Sequence, residues 1–249
     1  MLSLRKGKDG DLSSGFSIKL LTKTRSGDLA AVTRVAQKAA AQMATAAVSL
    51  DRCSVPNRGK QESLSFDELE YGMGEFGFSF PLDLKSDVLG IHNEPGVRRE
   101  KVQSLETVVK EVINILLKQK EKGWRPVQGE PTAVLINNLG GLSPLEINVV
   151  AEEVLTQLHA TGITVIRSAA GLFVTSLDAP GFSVTLLKLD EELVPLLDAP
   201  TTAPGWPREM SKVTHDSLKE QEIKAPMEQE PTNPAQSSIS GTQVVKRRI

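Results

Sequence analysis

The sequence predicts an α/β fold: a mixed, mostly parallel sheet with flanking helices. Two strands and the helix between them carry that expectation. "TAVLINN" (132–138) has a continuous apolar centre, as in a strand covered on both faces. "PLEINVVAEEVLTQLHA" (144–160) then runs at helical period, and "ITVIRSAAG" (163–171) is again strand-like. A strand–helix–strand unit places its two strands parallel through a crossover.

The remaining elements follow in order. "GDLAAVTRVAQKAAAQMATAA" (27–47) spaces Leu29, Val32, Val35, Ala36, Ala39, Ala40, Met43 and Ala47 as one helix, with Ser26 or Asp28 available as cap. "VSLDRCSVP" then reads as a short strand ending at Pro56, and "DELEYGMG" as another running into a glycine turn. "SLETVVKEVINILLKQKEKG" (104–123) is a helix with Ser104 as N-cap. Its buried face is Leu105, Val108, Val109, Val112, Ile113 and Leu116, and Gly123 is placed to end it. Before the 144–160 helix, Ser143, Pro144 and Glu146 have the cap, first-turn proline and acid of a helix start. "GLFVTSLDAPGFSVTLLKL" adds strand with a turn at "DAPG", and "DEELVPLLDAP" is a short helix. From about Ala199 prolines and polar residues dominate without a period, the composition of a linker.

Composition narrows the function. A formal net charge of −2 gives no basic footprint for nucleic acid or a membrane surface. No run reaches the ~18 apolar residues of a membrane span. One cysteine, Cys53, allows neither an internal disulfide nor a cysteine-rich zinc site. These features predict a cytoplasmic setting. The opening 25 residues are basic and contain serine, but Asp9 and Asp11 argue against a transit peptide.

Few residues carry chemistry. No P-loop occurs. "KDGDLSSG" has aspartates but no further carboxylate nearby to complete a metal loop. "NNLGG" before the 144–160 helix could cradle an anion on free N–H groups, although an ordinary strand-to-helix turn is the favoured reading. His159 lies near a helix C-terminus, where positive charge suits the dipole, and His215 lies in the linker. His92 differs. It sits in "GIHNEPG" between Gly90 and Gly96, with Pro95 and Glu94 beside it, and glycines let backbone approach a ligand. By spacing alone it is still more often a loop histidine than a catalyst.

"GDLAAVTRVAQ", "CSVP", "ELEYGMG", "GIHNEPGVRR", "INNLGGLSPLE", "GLFVTSLDAPGFSVTLLKLD" and "LLDAPTTAPGWP" occur in an order that resembles the ATP-dependent dihydroxyacetone kinases of the triokinase/FMN cyclase kind. The resemblance runs over about residues 27–207 and implies the second half of the substrate-binding kinase domain. Residues 1–26 lie outside it and are expected to be disordered, and 208–249 to be a disordered linker. It implies that His92 is both catalytic and substrate-binding, holding dihydroxyacetone as a covalent hemiaminal for ATP-dependent phosphorylation. ATP and Mg²⁺ are the implied cofactors, with their sites expected outside this chain, so the chain alone is expected to be inactive. The implied partners are dihydroxyacetone and a second subunit, either a homodimer mate or a full-length kinase, with no nucleic acid and no membrane. The alternative is a non-catalytic partial form that acts in interactions or binds ketones.

One segment departs from the pattern. In the resembling family the glycine turn runs directly into the histidine, whereas here residues 75–90 intervene. Gly74, Glu75 and Phe76 can be encoded by a splice-donor-like string, and Leu89–Gly90 by an acceptor. The segment therefore reads as an intron translated in frame, with a surface insertion as the other reading.

Overall fold

The computed structural model describes residues 29–51, 53–54, 64–65, 67–74, 98–118, 124–201, 205–206 and 210–213. Its elements are α1 (Leu29–Ala41), β1 (Met43–Ser49), β2 (Glu68–Gly74), β3 (Arg98–Lys101), α2 (Leu105–Lys118), β4 (Pro131–Asn138), α3 (Pro144–Ala160), β5 (Thr164–Gly171), β6 (Gly181–Lys188), α4 (Leu193–Asp198) and β7 (Ser211–Lys212). The strands form one open sheet in the order β3-β2-β1-β6-β4-β5-β7. The chain divides between Thr214 and His215, and every described residue precedes that division.

The sheet is mixed, as expected, but it is not mostly parallel. Only β4 and β5, joined by α3, pair parallel. The other five pairings are antiparallel. The physical reason lies in β6, which inserts between β1 and β4 and opposes both. A central strand covered on both faces shows the same continuous apolar run in either polarity, so the run in β4 did not report direction.

The two faces follow from strand alternation. Val134 and Ile136 of β4, with Phe182, Val184 and Leu186 of β6, meet α2 and α3 through Val109, Val112, Leu116, Val154 and Leu158. Ala133, Leu135 and Leu187 face the other way, against Val35 and Ala39 of α1 and Leu193 and Leu197 of α4. The result is three layers. Each fully buried Leu or Ile there contributes about 1.5–3 kcal/mol relative to exposure.

Helices form at both predicted places, α2 and α3; α2 is described as far as Lys118, the expected stop at Gly123 lies outside the described residues, and Leu105 of the expected buried face is only partly buried. The buried α2 residues are Val108, Val109, Val112, Ile113 and Leu116, and Ser104 caps it by accepting the Thr107 N–H. In α3 the Ser143 hydroxyl accepts the Glu146 N–H while the Glu146 carboxylate accepts the Ser143 N–H, a complete capping box. Gly162, just past the helix, has φ +80°, the left-handed region that glycine favours.

Three further expectations fail on the fold. The strand expected over "VSLDRCSVP" keeps only Val48 and Ser49, the end of β1; Leu50–Asp51 and Cys53–Ser54 are not in a strand, and Pro56 lies outside the described residues. The predicted helix over 27–47 ends at Ala41, and Met43–Ser49 is instead a fully buried central strand. Alanine fits either state, and small side chains suit a strand flanked by neighbours on both edges. Near the other terminus, β7 extends into the predicted linker. Ser211 and Lys212 pair with Ser168 and Arg167 on the outer edge of β5, and Met210 is buried in the α1/α4 core. An open edge with free backbone groups captured a polar segment that composition assigned to linker.

Candidate functional site

His92 lies outside the described residues, as does the rest of 75–97. The structure does fix both roots of that connection. β2 carries the chain to Gly74, opposite Thr45 of β1. β3 resumes at Arg98, opposite Tyr71 of β2. The connection that carries His92 therefore spans β2 and the edge strand β3.

The β3 root is held on both faces. The Arg98 guanidinium lies 5.1 Å from the Tyr71 ring centroid. It also meets Glu100 at 3.0 Å and donates to Glu111 of α2 at 2.8 Å. On the opposite face Arg99 donates to the buried Glu70 carboxylate at 3.2 Å. Burial, then the negative charges of Glu100 and Glu111, push the Tyr71 phenol up to about 12. Burial would raise the Glu111 carboxyl, but the hydrogen bonds from Arg98 and Asn114 outweigh it and hold it below its ordinary value.

The far end of the sheet carries the other glycine-bearing motif. Asn138 Oδ1 accepts the N–H groups of Gly140 and Leu142, at 2.8 and 3.3 Å, while its Nδ2 donates to Leu142 O at 2.6 Å. Gly141 N donates to Ala179 O at 2.9 Å. With Ser143 N in the capping box, these donors are all spent inside the protein. The "NNLGG" turn is thus an ordinary strand-to-helix turn rather than an anion cradle. Gly141 is required sterically, because a Cβ there would stand 2.6 Å from Asp178 O and 2.7 Å from Pro180 Cα.

Sequence reasoning passed over two staples at this end. The backbone N–H and the hydroxyl of Ser54 both donate to the Asp178 carboxylate at 2.6 Å, tying the chain after β1 to the β5–β6 connection. Asn137 is fully buried. Its Oδ1 accepts from Phe173 N and Val174 N at 3.0 Å, and its Nδ2 donates to Val174 O at 2.7 Å. The only signal available was their place in the quoted motifs.

Of the other histidines, His159 is exposed on the last turn of α3, and His215 lies outside the described residues. Cys53 is buried against Ala47, Leu139 and Ala179. Among the described residues, no three His, Cys, Asp or Glu side chains gather as a metal site. No helix among the described residues is long and apolar enough to cross a membrane.

The fold and its polar staples define a three-layer α/β module on one open mixed sheet. The chain belongs to the Dak1 domain family, whose model matches residues 16–79 and 88–205. That match extends upstream of Gly27 and omits residues 80–87. The chain is 36% identical to triokinase/FMN cyclase of Homo sapiens over 206 residues, covering 82% of this chain and 32% of the relative. Among solved structures it resembles the native dihydroxyacetone kinase of C. freundii, with TM-score 0.65 and 26% identity over 96% of this chain and 38% of that one. It also resembles the dihydroxyacetone kinase operon co-activator DhaQ, with TM-score 0.65 and 24% identity over 82% of this chain and 58% of that one. The chain spans about a third of the length of the curated relatives it matches.

Proposed function

We propose that this chain provides the ketone-holding part of an ATP-dependent dihydroxyacetone kinase, with His92 as the covalent holder. The observation that carries the reading is the family match itself. It covers both roots of the β2–β3 connection, and "GIHNEPG" lies inside its second segment. The relatives' names supply the substrate class.

The chemistry suits the residue. A neutral imidazole is a nucleophile near pH 7. Its unprotonated nitrogen forms a C–N bond to the carbonyl carbon of dihydroxyacetone, and the C=O π pair moves onto oxygen. That oxygen takes up a proton while the other ring nitrogen releases one, leaving a neutral hemiaminal. Glycerol has no carbonyl and is not held this way. The adduct orients a primary hydroxyl for transfer. ATP and Mg²⁺ supply the phosphoryl group and its charge neutralisation in such kinases, and no step through them falls to the described residues. The 249-residue chain by itself is proposed to hold the ketone without phosphorylating it, in the cytoplasm, paired with a copy of itself or with a full-length subunit.

Residues 75–90 are proposed as an insertion into the family pattern, since the matched segments break inside them, at 80–87. Transcript reads that carry the segment at ordinary splice frequency would argue for a genuine surface insertion over translated intron.

The second reading is a non-catalytic role in interactions or ketone binding. It is favoured by the occurrence of the same fold in a protein described as an operon co-activator. One experiment separates the readings. Dihydroxyacetone labelled with ¹³C at the carbonyl is added to the chain and followed by NMR. The leading reading expects a tetrahedral-carbon signal that His92→Ala abolishes, and no product in a coupled Mg-ATP assay. An unchanged ketone signal would remove the hemiaminal; turnover at the rate of the longer relatives would remove the claim of inactivity.

A further inference from the structure

The two sides of the open sheet are guarded differently. β3 ends the strand order on one side, and all four of its residues, Arg98, Arg99, Glu100 and Lys101, are charged. Short, charged edge strands resist pairing with another chain. On the other side β5 is eight residues long and carries a single charge, Arg167. That charge does not guard the edge. Its guanidinium donates to both carboxylate oxygens of Asp198 at 2.7 Å and to Ile166 O at 2.8 Å.

What covers β5 is β7. Ser211 and Lys212 lie opposite Ser168 and Arg167, and Val213 N donates to Ile166 O at 3.4 Å. Met210 anchors the segment by burying its side chain in the α1/α4 core. The cover is short: two residue pairs on an eight-residue strand, with both β7 residues exposed. Met210–Val213 also lie beyond residue 205, where the family match stops. A contact this small opens far more readily than the central strands do.

We infer that Met210–Val213 form an exchangeable clasp, which withholds the β5 edge from pairing with β5 of a second copy of this chain. The composition of β5 suits that occupant. In antiparallel pairing about a two-fold axis at Ser168, Ser168 faces its counterpart, Arg167 faces Ala169, and Ile166 faces Ala170 of the second copy. No like charges stand opposite one another, so the cross-strand repulsion that would forbid the pairing is absent. With the clasp closed, the edge is filled by the chain itself. With it open, two sheets join edge to edge. The inference uses no part of the ketone-holding reading and stands apart from it.

The test uses the full chain over a range of concentrations, with mass read by sedimentation velocity and folding by circular dichroism and thermal melting. Met210→Ser, Ser211→Pro and Val213→Pro together break the clasp: the first frees its anchor, and the prolines remove the N–H groups that alternate toward β5. This variant is expected to form a species of twice the unaltered mass, in a fraction that grows with concentration. Adding Ala170→Lys places a charge on the uncovered edge, at an exposed position, and is expected to return the mass to that of the unaltered chain. A folded clasp variant that keeps the unaltered mass overturns the inference. Association that survives Ala170→Lys overturns it too, because the contact then lies elsewhere. Amide exchange on the unaltered chain needs no variant. The Val213 amide is expected to exchange at least about tenfold faster than that of Val184 in β6. Equal protection of the two would show a clasp that does not open, and would also sink the inference.

Discussion

Two glycine-bearing connections leave opposite ends of this sheet, and they are built differently. The β4–α3 turn spends its N–H groups on Asn138, Ala179 and its own capping box. It is locked by backbone so closely that Gly141 admits no side chain. The β2–β3 connection is rooted instead by side chains: Arg98 on Tyr71, Glu100 and Glu111, and Arg99 on Glu70. A glycine-rich turn is thus not by itself a ligand cradle. What matters is whether its donors are already committed. Where they are, glycine serves close packing.

Three measurements break or sharpen that contrast, beyond those already described. The largest effect is expected at Gly141→Ala. The added Cβ meets the backbone at Asp178 and Pro180, which cannot yield as a side-chain tip would. A loss of about 1–3 kcal/mol in urea unfolding is expected. An unaffected midpoint would mean that the turn relaxes freely and that its commitment to internal contacts is overstated. Ser143→Ala comes next, at about 1 kcal/mol from the lost N-cap. A still smaller change would show that the proline at the first helical position and the Asn138 contacts set the turn without the cap.

The smallest effect is a pH dependence on a third, wholly charged contact. Glu192 joins Arg34 and Lys38, linking α1 to the β6–α4 connection. Hydrogen bonds from Arg34 and then Lys38 lower its carboxyl from 4.5 to about 2. A carboxyl depressed in the folded state stabilises fully above its unfolded value, and that stabilisation is lost as pH falls through the folded one. The contribution should therefore fade between about pH 4.5 and 2, and Glu192→Gln should remove that part of the acid sensitivity. Because Arg34 is exposed and Glu192 and Lys38 are partly exposed, solvent screens the contact and the effect is small. Identical acid-unfolding curves for the two proteins would deny the contact any role.

The sequence alone determined the local elements that depend on near neighbours. The buried stripe of α2, the capping box of α3 and the strand–helix–strand unit around it are written in residues a few positions apart, and they formed as read. The family was legible too, because its motifs are local and occur in register. Tertiary structure alone decided what depends on distant partners. It turned the alanine-rich Met43–Ser49 from helix to central strand by giving it β2 and β6 as neighbours. It made the sheet mostly antiparallel by inserting β6 between β1 and β4. It joined Ser54 to Asp178 and Arg98 to Glu111, pairs whose distance along the chain hides them. The reason is the same in each case: a hydrogen-bond or packing partner contributed by another element carries no periodic trace in the segment that receives it.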